Sequence, residues 1–248
     1  AKLLAFLKSH QISHIDEIYI THPHKDHYGG LYPLLESEVS IGLIVMNTPQ
    51  KDICDREKPW GCDFDDLMRL KALILGKGIA LKEMWLGEVK HPVQIHKDPH
   101  TEIQLIHASP PVTSYLGDMD INDLSLIMTV RVDRARYLFT GDLNAPLSDY
   151  LAEREPDLGA DLLKAPHHGT ERTASNRFLD RVGAHWVLVP SPEGLWCSDR
   201  SSRLRDYFKA HNAEVIVSGF HGETRIEHFG GGRTRIMVER NAGKSPCG

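Results

Sequence analysis

The ten residues Thr21-His22-Pro23-His24-Lys25-Asp26-His27-Tyr28-Gly29-Gly30 constrain this chain more than any other stretch. Four side chains able to ligate a metal (His22, His24, Asp26 and His27) fall within six residues. The preceding Ile18-Tyr19-Ile20 is β-branched and aromatic, which predicts a short strand delivering them to a sheet edge. Neutral imidazole and carboxylate are ligands that Zn²⁺ and its first-row neighbours accept. On extended backbone, His22 and His24 point the same way and can pinch one ion. Asp26 and His27 follow the start of a turn and can face a second. The plainer reading is a solvated, histidine-rich loop, and the position at the end of an apolar strand weighs against it.

Two later segments add support. Tyr137-Leu138-Phe139-Thr140-Gly141-Asp142 ends an apolar run on an aspartate, and Leu163-Lys164-Ala165-Pro166-His167-His168-Gly169-Thr170 ends another on paired histidines. Alone, Asp142 reads best as a helix N-cap or an Asx-turn. In the company of His22-x-His24-x-Asp26-His27 and Gly29-Gly30, the set resembles the metallo-β-lactamase superfamily of metal-dependent hydrolases, over roughly residues 10–230. That resemblance implies an α/β (α+β, four-layer) fold, the αβ/βα sandwich, with one or two metals in a groove at the sheet edge. It implies His22 and His24 on a first ion, Asp26 and His27 on a second, and Asp142 as the bridge. His167 takes the last ligand position. His168 is the alternate ligand, or a group that touches substrate and donates a proton. Gly169 and Thr170 would offer backbone and hydroxyl donors.

The superfamily normally supplies a third histidine to the first ion from the segment before the Gly-Asp strand. None stands in register here; His107 is the nearest. Ile121-Asn122-Asp123-Leu124-Ser125-Leu126 occupies the place and resembles the ComEC-like branch, which implies phosphodiester substrates, nucleic acids included. Asn122, Asp123 and Ser125 are then expected beside the first ion, as ligands or supports. An oxygen-rich site holds Mn²⁺ as readily as Zn²⁺. The plainer reading of these three is a turn before a strand. Asp26 is expected to ligate and to hold the attacking water, and His168 to protonate the leaving oxygen. Lys164 reads equally as a phosphate contact or an edge-strand charge, and Lys25 as surface. His221 lies in a turn that can reach a groove rim, whereas His228 reads as structural. The remaining histidines have no ligand-like neighbours.

A net charge of −5 over 248 residues argues against a broad electrostatic grip on nucleic acid and favours a small or medium phosphodiester, although a local contact remains open. No stretch is apolar enough to span a membrane and no leader is evident, so a soluble, cytoplasmic protein is expected. Cys54, Cys62, Cys197 and Cys247 form no CxxC pair and read as free thiols in a reducing compartment.

Alternating strands and helices predict one domain over 1–240, with an inserted segment at 47–80 beside the groove and a flexible tail at 241–248. Residues 47–62 read as loop and Asp63 to Leu75 as an amphipathic helix. Trp60 and Trp85 are core aromatics or a binding surface. By the resemblance, several antiparallel strands should precede the first motif, one bearing an aspartate that supports the first histidines. Helix-like residues 3–8 stand there instead. The first sheet is therefore expected to be short, or to be completed by an N-terminal part not seen here or by another chain. Two further readings share these residues: an ester, lactone or thioester hydrolase on the same metal core, and a non-catalytic metal-binding or interaction module.

Overall fold

The computed structural model describes residues 2–57, 61–85, 92–108, 120–170, 173–229, 233–240 and 247. It divides into two compact units, Ala1–Val89 with Ala108–Leu126, and Lys90–His107 with Ile127–Gly248.

In the first unit the order is α1 (Lys2–Ser9), β1 (His14–Ile20), α2 (Lys25–Tyr28), α3 (Leu31–Leu35), β2 (Ser40–Met46), α4 (Lys51–Arg56), α5 (Phe64–Gly76) and β3 (Ala80–Lys82). The strands form a three-stranded parallel sheet in the order β1-β2-β3, with Ile18 opposite Ile44 and Ile20 opposite Met46. Parallel neighbours need crossovers, and the helices between the strands supply them. Ile20, Tyr28, Leu34, Ile44, Met46, Leu67, Leu70 and Ile74 form the buried core on the helix side. Each such aliphatic side chain contributes roughly 1.5–3 kcal/mol by leaving water. Asp63 caps α5 by accepting the Asp66 N–H at 3.1 Å.

Asp66 then ties α2 and α3 to α5. Tyr28 Oη donates to its Oδ2 at 2.9 Å and Tyr32 Oη to its Oδ1 at 3.0 Å. Burial pushes the Asp66 carboxyl up, but the hydrogen bonds from Tyr28, Arg69 and Tyr32 outweigh it and hold the group below the usual carboxylate range. Lys25 is exposed, with Nζ 3.8 Å from Asp66 Oδ2, as a surface lysine should be.

Two expectations fail in this region. Residues 47–62 are not all loop, because α4 occupies Lys51–Arg56, after Pro49 and before Gly61. The cysteines are not free thiols. Cys54 and Cys62 form a disulfide across a Cα–Cα distance of 5.3 Å, and Cys197 pairs with Cys247 at the same distance. Closing loops of 8 and 50 residues stabilises the fold by about 2.5 and about 4 kcal/mol in the chain-entropy view. Trp85 packs on Ile53, Cys54, Cys62, Ile121 and Leu124, so it belongs to a second core cluster. Trp60 lies outside the described residues, as does the 241–248 tail apart from Cys247.

The second unit contains β4 (Val93–Lys97), β5 (Thr101–His107), β6 (Ile127–Val132), β7 (Ala135–Phe139), α6 (Ala145–Arg154), β8 (Leu162–Lys164), α7 (Asn176–Val182), β9 (Trp186–Val189), α8 (Glu193–Trp196), α9 (Ser202–Ala210), β10 (Glu214–Val217), α10 (Ser218–His221), β11 (Thr224–Phe229) and β12 (Arg233–Val238). A seven-stranded sheet runs β10-β9-β8-β7-β6-β5-β4, parallel from β10 to β7 and antiparallel beyond. β11 and β12 make a separate hairpin. The expected β6–β7 hairpin turns at Asp133, whose φ is +51°. His228 is structural, as anticipated: its Nε2 lies 2.5 Å from Tyr137 Oη and its Nδ1 3.2 Å from Thr234 Oγ1. No helix of the described residues is long and apolar enough to cross a membrane.

Candidate metal centre

In the first unit, β1 ends at Ile20 and the chain turns through His22 and His24 into α2. His22 and His24 are buried, and His22 Nε2 lies 3.2 Å from His24 Nδ1. The His27 ring centroid is 4.0 Å from that of His22. Two hydroxyls meet the far edge of His22: Thr21 Oγ1 is 3.2 Å and Ser125 Oγ 3.3 Å from its Nδ1. Thr21 Oγ1 is also 3.4 Å from His27 Nδ1. The segment carrying Ser125 is fastened to the motif by the backbone, with the Leu126 N–H donating to the Thr21 carbonyl at 2.8 Å. Asp26 is exposed, its Oδ2 3.8 Å from His27 Nε2.

Ile121–Leu124 forms a short 3-10 turn capped by Asp120, which accepts the Asn122 N–H at 2.8 Å. Asn122, Asp123 and Ser125 are all buried. Among the described residues, Asn122 Oδ1 is a buried acceptor with no hydrogen-bond partner. An unpartnered buried amide oxygen is costly unless a cation or water meets it. Three crowded imidazoles with a spare carbonyl oxygen in the same unit are a donor set that suits Zn²⁺ or Mn²⁺. The residues present fit the implied metal.

Glu57 is the residue that sequence reasoning missed. Its Oε2 lies 3.3 Å from His24 Nε2, and its Oε1 accepts the Ile121 N–H at 2.8 Å. It stands 33 residues from His24, at the end of a helix whose existence the flanking prolines concealed, and no local pattern marks it.

The second unit presents its candidates from the ends of β7 and β8. Asp142 is buried; Lys164 Nζ donates to its Oδ1 at 3.0 Å and to the Gly141 carbonyl at 2.5 Å. Lys164 is thus engaged with the aspartate. His168 Nε2 is 3.2 Å from Asp142 Oδ2, while His168 Nδ1 is 2.9 Å from the Pro190 carbonyl. The His167 ring centroid stands 6.2 Å from that of His168. Both histidines have left-handed backbone, φ +45° and +57°, and Gly169 continues it at +77°. Left-handed geometry costs a non-glycine residue roughly 1–2 kcal/mol, so this turn is held under strain. A Cβ on Gly169 would meet Trp196 at 2.8 Å and Val189 at 2.9 Å. Thr170 Oγ1 donates to the His167 carbonyl at 3.0 Å, which commits its hydroxyl to the turn.

His221 ends α10, where its Nδ1 accepts the Val217 N–H at 2.9 Å. His107 is buried in β5, and burial lowers its pKa to about 4.

No protein-family model matches the chain. It is similar to ComE operon protein 3 of Bacillus subtilis (strain 168), with 24% identity over 226 residues, which cover 91% of this chain and 26% of that protein. The chain therefore spans about a quarter of that relative's length. Among solved structures, the short form of human tRNase Z (ELAC1) aligns with 82% of this chain and 76% of its own, at a TM-score of 0.41 and 14% identity. A structural likeness that slight carries no argument. This sequence relationship agrees with the resemblance that the three motifs carry.

Proposed function

We propose that the chain hydrolyses a phosphodiester with the help of one or two divalent cations, Zn²⁺ or Mn²⁺. The observation that carries this reading is the buried His22–His24 pair at 3.2 Å in the same unit as the unpartnered Asn122 Oδ1. His22, His24, Asp26, His27 and Asp142 are the proposed ligands, with Asn122 or Asp123 in place of a third histidine. Of the two alternatives at 167 and 168, His168 is preferred for the second ion because it touches Asp142. His167 is then the residue left for substrate or proton transfer. When bound, the cations would neutralise phosphoryl charge and make a water acidic enough to attack near neutral pH.

The chain's own residues supply the rest. Asp26, exposed and short, is suited to orient that water and take its proton. Lys164 holds the Asp142 carboxylate by its Oδ1 and keeps it in one orientation. Gly169 lets the turn bearing His167 and His168 pack against Trp196. The phosphodiester preference rests on Asn122-Asp123-Leu124-Ser125-Leu126 standing where a third histidine is usual. The charge of −5 favours a small or medium diester over a long nucleic acid. The two disulfides favour an oxidising compartment over the reducing cytoplasm.

The test is turnover of bis(p-nitrophenyl) phosphate and of p-nitrophenyl acetate, with metal content measured on the same sample. Diesterase activity that rises with added Mn²⁺ or Zn²⁺ supports the reading. Ester turnover alone would move the substrate class to carboxyl esters. Absence of both metal and turnover would make the chain a binding module.

A further inference from the structure

Two contacts join Glu57 and Gly61 to the first motif and a disulfide ties Cys54 to Cys62, all within the first unit. Glu57 Oε2 is 3.3 Å from His24 Nε2, where the two side chains are only 17% and 9% exposed. The Gly61 carbonyl accepts the Lys25 N–H at 3.1 Å, and Gly61 itself has φ +128° with its Cβ direction 3.9 Å from the His24 ring. Cys54, on α4, is joined to Cys62 by the disulfide. Glu57 also accepts the Ile121 N–H through its other oxygen, so one carboxylate holds both His24 and the turn that carries Asn122.

A carboxylate only accepts hydrogen bonds, so His24 Nε2 must carry the proton that Glu57 receives. Neutral imidazole then leaves its Nδ1 lone pair bare, and that atom is the one 3.2 Å from His22 Nε2. Histidines that hold metals are commonly fixed in this way through the opposite ring nitrogen. We infer that Glu57 is a positioning residue that locks His24 in the Nε2–H tautomer with Nδ1 turned toward His22, and that the Cys54–Cys62 disulfide holds Glu57 in place. The metal part of this inference rests on the proposed function; the tautomer part does not. Oxidation of the two thiols would thereby be coupled to the quality of the first-ion site, even though neither sulfur is a ligand.

Glu57→Gln is the discriminating variant. Glutamine keeps the shape but has one acceptor oxygen, so it cannot serve His24 Nε2 and the Ile121 N–H together. Two readouts are taken on the full 248-residue chain. The first is the ¹⁵N spectrum of the His24 ring in metal-free protein; the second is calorimetric affinity for Zn²⁺ and for Mn²⁺ separately. The wild type should show His24 as a single Nε2–H tautomer. E57Q should show a mixture and bind metal about ten- to a hundredfold more weakly. The double variant C54S/C62S, checked for folding by circular dichroism, should lower affinity similarly and add little when combined with E57Q. An unchanged tautomer and affinities within about twofold in E57Q would overturn the role of Glu57. A folded C54S/C62S with wild-type affinity would overturn the role of the disulfide. If wild-type protein binds neither ion, the proposed function falls, and the His24 tautomer in E57Q still decides whether Glu57 positions the ring.

Discussion

His22, in the first unit, is held by side chains: the hydroxyls of Thr21 and Ser125 on one ring nitrogen and the imidazoles of His24 and His27 beside it. Asp142, in the second, stands just past a strand of a seven-stranded sheet, and the histidines near it are presented by a left-handed turn. One unit builds its candidate site from borrowed contacts around a three-stranded sheet; the other builds it from backbone geometry. A small sheet fixes few strand ends, so the first motif depends on loops, a disulfide and Glu57. In the larger sheet β7 and β8 run side by side, which brings Lys164 to the Asp142 carboxylate and leads into the left-handed turn after β8. Substitutions of the supporting residues, as distinct from the proposed ligands, should therefore act differently in the two units: on metal binding in the first, on folding in the second.

The largest expected effect is that of Asp142→Asn. If Asp142 is a ligand, as proposed, a neutral amide cannot replace a carboxylate that also pairs with Lys164, and loss of several kcal/mol of charge stabilisation amounts to a fall on the order of a thousandfold in turnover. Circular dichroism should show the sheet intact. Full metal content and full rate would remove Asp142 from the site.

Gly169→Ala comes next and tests whether backbone sets the second unit. The added methyl meets Trp196 and Val189 at under 3 Å in a left-handed conformation. A stability loss of about 3 kcal/mol is expected in urea denaturation. Wild-type stability would show that the turn is free to relax.

His107 supplies a pH test in the same unit. Its pKa is about 4 when folded, against the ordinary 6.5, so the unfolded chain binds the extra proton between those values. Its contribution is fully present above about pH 6.5 and is lost as pH falls toward about 4, by roughly 2–3 kcal/mol. Denaturation at pH 5 and pH 7.5 should show this slope in the wild type, and His107→Gln should flatten it. An equal slope in both proteins would assign the proton uptake elsewhere.

Ser125→Ala has the smallest expected effect and probes the first unit. Losing one hydroxyl beside His22 should cost about 1 kcal/mol, or a few-fold in metal affinity, with unfolding barely altered. A stability loss as large as that of Gly169→Ala would erase the contrast between the units.

Much of this contrast is legible in the chain. β1, β9 and β10 lie where their apolar, β-branched residues predict, and α5 follows the spacing of Leu67, Leu70 and Ile74 with Asp63 as its cap. The crowding of His22, His24 and His27 follows from their spacing alone. What escaped notice is non-local or short. α4 has six residues, too few for a periodic signal to outweigh nearby prolines. The Glu57–His24 contact and both disulfides depend on where loops return, which no spacing rule encodes. The choice between His167 and His168 turns on two left-handed residues, a geometry that L-amino acids seldom adopt and that composition does not announce.

The first unit is not contiguous in the chain. It leaves off near residue 89, β4 and β5 are spent in the other sheet, and Ala108–Leu126 returns to it. Ser125, Asn122 and the Ile121 N–H that engages Glu57 all arrive with that return. A chain synthesised only as far as about residue 89 would carry the histidine motif and Glu57 with none of these later partners, and a fragment cut there would lack them too. The order of synthesis thus separates possession of the motif from completion of the site. The candidate site of the first unit is completed only after β4 and β5 have been made.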